Sequence, residues 1–91
     1  MQKWSQDEAV AFECARECIV DLMGICSAEL ADLEGATDVF ADHAERIERR
    51  LADLAAELRR LHVTDTASIE RIRLNYGQEI RAYRATTITQ G

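Results

Sequence analysis

The chain is predicted to be all-α, a long antiparallel helical hairpin followed by a shorter C-terminal helix. Three observations predict it. There is no proline and there are only four glycines in 91 residues, against many Ala, Leu, Glu and Arg, the strong helix formers. Phe40, Ala44, Ile47, Leu51, Leu54, Leu58 and Leu61 recur at alternating spacings of four and three, which keeps one apolar seam turned toward a partner helix. Cap and turn residues cluster at only two interior places, around Gly35 and around Thr64. A chain of this length is one domain, 1–91.

Helix 1 is expected over about 5–34. Ser5-Gln6-Asp7-Glu8 is a capping box, in which the Ser5 hydroxyl and the Glu8 carboxylate satisfy each other's backbone N–H groups. The inner face is Phe12, Ala15, Ile19, Leu22, Cys26 and Leu33, interrupted at Glu29. Ala11, Cys18 and Ile25 flank it on one side, Met23 and Leu30 on the other. That stripe is wider than contact with one helix needs, so helix 1 is expected to meet more than one. Gly24 in mid-helix suggests a close crossing, and Gly35 is a natural left-handed stop.

Helix 2 is expected over about 38–62, capped by Thr37 or Asp38. The short Gly35 turn makes it an antiparallel neighbour of helix 1, with facing positions summing to about 73. Its outer face offers Asp42–Arg46 and Glu45–Arg49 as i,i+4 ion pairs. Val63-Thr64-Asp65-Thr66 reads as the second turn. Helix 3 is expected over about 66–84, with Ile69, Ile72, Tyr76, Ile80 and Tyr83 in one stripe and 85–91 as an extended tail. The alternative for this part is a hairpin turning at Gly77-Gln78, with Ile72, Leu74 and Tyr76 alternating with arginines and Asn75; pattern and length favour the helix. The wide face of helix 1 has two solutions. Helix 3 folds back to give a three-helix bundle, or two hairpins pair into a dimeric four-helix-type bundle. A chain this small gains from pairing, which favours the homodimer.

The formal charge of −6 is unevenly spread. Residues 1–38 hold two basic side chains against nine acids, a net of −7. Residues 39–62 balance five arginines against five acids, and residues 63–91 carry a net +1. An acidic field attracts basic partners and repels nucleic acid. Glu13, Glu17 and Asp21 form a ridge at i,i+4 spacing with only Arg16 nearby. Such a ridge weakens an isolated helix by a few tenths of a kcal/mol per pair, so it points to recognition of a basic protein surface rather than to stability. Arg73, Arg81 and Arg84, beside Arg71 and Tyr76, form a basic strip. It is too sparse to make direct nucleic-acid binding the leading expectation, and suits instead the acidic helix of the same chain or of a second copy.

Catalytic signals are missing. Neither His43 nor His62 follows a Glu at the Glu-x-x-His spacing of a di-iron bundle, since Phe40 and Arg59 stand there. Ser5, Ser27 and Ser68 lie in no nucleophile motif, and no glycine-rich phosphate loop occurs. The expectation is a non-enzyme with no cofactor. Cys14 and Cys18 share a helical face and the register brings His62 within about a turn of Cys14, yet no fourth ligand is evident, so the cysteines are read as small apolar side chains rather than a metal site. Three cysteines on one helix fit no disulfide framework, and no apolar leader or membrane span is recognisable, so a cytoplasmic setting is expected. The class implied is an acidic protein-interaction module: an inhibitor or adaptor, with an anti-CRISPR inhibitor that occupies a basic nucleic-acid channel as one concrete version. An antitoxin-like regulator working through the C-terminal arginines is the competing class, and a small metal-binding helical protein the third.

Overall fold

The computed structural model describes residues 6–33 and 41–90, with side chains described through residue 86. It contains three α-helices and, among the described residues, no strand: α1 (Gln6–Asp32), α2 (Ala41–Arg60) and α3 (Thr66–Gln90). The Ser5 cap, the Gly35 stop, the Thr37/Asp38 cap and Phe40 lie outside the described residues.

Helix α1 is the shared element. It packs against both α2 and α3, while α2 and α3 nowhere bring their Cα atoms within 8 Å of each other. Two partners on one helix require two adjoining apolar flanks, and the wide stripe of α1 supplies them. Ala15, Ile19, Leu22 and Cys26 are buried along its centre. Ala11, Cys18 and Ile25 on one flank, and Phe12, Met23 and Leu30 on the other, are part-buried against the same core. Helix α2 contributes Ile47 and Leu54, with Leu51, Leu58 and Leu61 beside them; α3 contributes Ile69, Ile72 and Ile80, with Tyr76 at the edge. The back-folded third helix thus covers the face that the dimeric alternative was invoked to cover.

Phe12 and Leu61 line one hollow, in keeping with facing positions that sum to about 73. The second turn is built from side chains. His62 Nδ1 accepts the Thr64 N–H at 3.3 Å and lies 2.8 Å from Thr64 Oγ1. Asp65 caps α3: its Oδ1 accepts the Ser68 N–H at 3.2 Å and its carbonyl accepts the Ile69 N–H at 3.1 Å. Those bonds hold the Asp65 carboxyl below its usual range, the Ser68 contacts being the main cause. Val63, between the two, is buried. Two reversals make α3 parallel to α1: Thr66 and Ile69 share a hollow with Asp7 and Ala11, and further along both helices Arg84 pairs with Asp21.

Three expectations are corrected, and the hairpin alternative to the third helix is excluded. Helix α3 runs on to Gln90 rather than ending near 84. Thr86 explains how the β-branched tail is tolerated, because its hydroxyl donates to the Ala82 carbonyl at 3.0 Å, inside the helix. Gly77 is in mid-helix, so there is no hairpin. Gly24 makes no close crossing: a Cβ there would meet nothing within 4 Å, and the residue is exposed. The buried glycine is Gly77, over which the Arg81 side chain folds, 3.3 Å from where a Cβ would stand. Finally, Asp42–Arg46 and Glu45–Arg49 do not pair; the ion pairs among the described residues are Arg50–Glu79, Arg71–Glu57 and Arg84–Asp21, all between helices.

Candidate protein-interaction face

Each helix has its own charge character. Among the described residues α1 carries seven acids against Arg16 alone, α2 balances five against five, and α3 carries four arginines against Glu70 and Glu79. The balanced helix spends part of its charge internally. Arg50 donates to both Glu79 oxygens, at 2.5 and 2.8 Å, a two-point contact that raises the guanidinium pKa. Glu57 accepts from Arg71 at 2.7 Å and from the Tyr76 hydroxyl at 2.5 Å. Burial pushes the Glu57 carboxyl up, but the bonds from Arg71 and Tyr76 outweigh it and hold the carboxyl below its ordinary value near 4.5. Burial and the bond to Glu57 together push the Tyr76 hydroxyl up. These five side chains strap α2 to α3 across the gap between their backbones, over a floor of Leu54, Leu61 and Ile72.

The acidic ridge is on the other side. Glu13, Glu17 and Asp21 are all exposed on α1. Among the described residues Glu13 and Glu17 enter no ion pair, and Asp21 meets Arg84 at 3.6 Å with both side chains half in solvent. Val10 and Val20 stand exposed beside the ridge, at 54% and 43%. The ridge is therefore an available surface with apolar side chains set into it.

The arginine strip divides. Arg71 belongs to the strap, and Arg84 reaches Asp21 in the middle of α1. Arg73 lies close enough to Cys18 to favour its thiolate, although burial, then Asp21, push that thiol up overall. Arg81 makes no ion pair among the described residues. Arg73 and Arg81 line an open groove of about 480 Å³ between α1 and α3, together with Glu70, Cys14, Cys18, Leu74 and Gly77. The expected binding residues thus fall into an acidic set on α1 and a basic set on α3, side by side across this groove.

The cysteines and His62 do not converge. Cys14 and Cys18 face α3, whereas His62 sits in the turn beside Phe12 and is held by Thr64. Two residues along a helix is about 200° of rotation, so Phe12 and Cys14 occupy opposite flanks of α1. Among the described residues no group of three His, Cys, Asp or Glu side chains could hold a metal ion. Burial is also the main reason the Cys26 thiol is pushed up. No helix among the described residues is long and apolar enough to cross a membrane. No protein-family model, curated protein or solved structure matches this chain.

Sequence reasoning missed the strap. Its partners are 14 to 29 residues apart, and no local spacing rule reaches that far. The only signal was that Glu57 and Arg50 lie on the border of the α2 seam rather than opposite it.

Proposed function

We propose that the chain is a non-enzymatic protein-interaction module, an inhibitor or adaptor, whose α1 ridge engages a basic protein surface. The observation that carries this reading is the unspent charge of α1. Helix α2 matches its five acids with five arginines along its own length, whereas Glu13 and Glu17 stand exposed and, among the described residues, unpaired on a helix whose one described basic residue is Arg16. Long-range attraction from such a field speeds encounter with a cationic surface and sets orientation. Val10 and Val20 beside the ridge add apolar contact once the charges have aligned. A concrete version is an inhibitor that mimics a phosphate backbone, as an anti-CRISPR protein occupying a basic nucleic-acid channel would.

The experiment is a charge reversal of Glu13, Glu17 and Asp21 to Lys in the full chain. Wild-type protein on a support should retain basic proteins from a lysate, identified by mass spectrometry, with retention falling as salt rises from about 50 to 500 mM. The reversed chain should lose them. Equal retention and equal salt dependence in the two would make the ridge plain solvated surface. A gel shift with duplex DNA at physiological salt separates the competing class, a nucleic-acid regulator acting through Arg73 and Arg81: the ridge reading expects no shift.

A further inference from the structure

We propose that the α1–α3 face docks a second copy of this chain, the two copies related by a two-fold axis that runs along the groove between these helices. The face has two edges of opposite sign. On the α1 edge Glu17 and Asp21 are exposed beside Val10; on the α3 edge Arg73 and Arg81 outnumber Glu70 and are exposed beside Leu74. Leu74 is 60% exposed, the highest of the exposed large apolar side chains among the described residues, and Val10 is next at 54%. Between the edges the floor is low, because Gly77 has no side chain and Cys14 and Cys18 are small.

Such a patch is self-complementary. Because α1 and α3 are parallel within the chain, a two-fold axis lying between the two copies and running along the helices lays each α1 over the partner's α3, parallel to it. Acid then meets arginine twice, and each exposed Leu74 enters the groove of the other copy, as an isologous interface requires. The scale also fits. The 27 residues of α1 extend about 40 Å, and two helices side by side are about 20 Å across. That face is about 800 Å², the share per partner of a standard interface. The α2–α3 side lacks this character, since the Arg50–Glu79 and Glu57–Arg71–Tyr76 contacts already satisfy its charges within one chain.

This inference shares Glu17 and Asp21 with the ridge reading, and two variants keep them separable: Leu74 and Arg81 belong to the α3 edge alone. Sedimentation equilibrium of the full chain from about 5 to 500 µM should show a monomer–dimer equilibrium that tightens at low salt. Leu74→Glu should be monomeric throughout with an unchanged helical circular dichroism spectrum. Arg81→Glu should weaken the dimer about tenfold or more, and adding Glu17→Arg in the same chain should restore it, because the pair is reciprocal across the axis. A wild-type monomer over the whole range would overturn the proposal. So would a dimer indifferent to both Leu74→Glu and Arg81→Glu, or failure of the double variant to recover. Failure of the wild-type chain to retain basic proteins, with the monomer–dimer equilibrium intact, would count against the ridge and leave this face untouched.

Discussion

Gly24→Ala tests the description of α1 most directly. Gly24 is in the helix interior, well clear of both ends of Gln6–Asp32, so end fraying does not dilute the effect. It is exposed, and an added Cβ meets nothing within 4 Å. Packing and strain therefore drop out and only helix propensity remains. Ala exceeds Gly by about 0.8–1.0 kcal/mol in an exposed helix interior, chiefly because Gly loses more backbone freedom on folding. For a domain of this size that corresponds to a rise in Tm of about 4–8 °C. The assay is thermal and urea unfolding followed by circular dichroism at micromolar concentration, with an unchanged urea slope as the check that neither end state has shifted. Gly77→Ala is the internal control. It gains the same propensity but must displace the Arg81 head group, 3.3 Å from the new Cβ, so its gain should be smaller than that of Gly24→Ala. A Gly24→Ala protein that melts at or below the wild-type temperature would refute the reasoning, because it would mean that this stretch of α1 is covered or is not helical.

Two further outcomes are expected. Leu54→Ala should cost about 2–5 kcal/mol by urea denaturation, since Leu54 is only 2% exposed and lies in the core shared by all three helices; a wild-type midpoint would remove α2 from that core. Glu57→Gln should flatten the acid limb of the stability–pH curve: the native Glu57 carboxyl is held below its ordinary value near 4.5, so its contribution is present above that value and is lost as pH falls through the lower native one. Identical slopes for wild type and variant between about pH 5 and 2 would mean that the strap to Arg71 and Tyr76 does not persist in solution.

What was legible in the sequence follows from what helical periodicity encodes. It reports which side of a helix is apolar, and so the α2 seam, both flanks of α1 and the Ile69–Ile72–Ile80 line of α3 were all readable. It also reports when a face is too wide for one neighbour. It does not report which neighbour takes which flank. Cys14 and Cys18 were therefore aligned with His62 through a correct α1–α2 register, while the structure turns them toward α3. The same gap hid Arg50–Glu79, and it put the close crossing at Gly24 when the buried glycine is Gly77. The α3 terminus was misjudged for a local reason: consecutive threonines look unfavourable for a helix until a back-bond such as Thr86 to Ala82 is allowed for.

The three helices together explain why the charge of α1 can be left exposed. A like-charge ridge costs little per pair, while α1 holds the centre of the core, with Ile19 fully buried and both neighbours packed on it. The helix with the most burial to spare is the one that tolerates unfavourable surface charge. Helix α2 has less burial and is the one whose dipole is matched at both ends, with Asp42 in its first turn and Arg59 and Arg60 in its last. Helix α1 has no basic residue in its last turn. Replacing Glu13 and Glu17 by Gln and Asp21 by Asn should accordingly leave Tm equal or higher while weakening the basic-partner binding we propose for the ridge, because the like-charge repulsion relieved on α1 is at least as large as the single exposed Arg84–Asp21 contact given up.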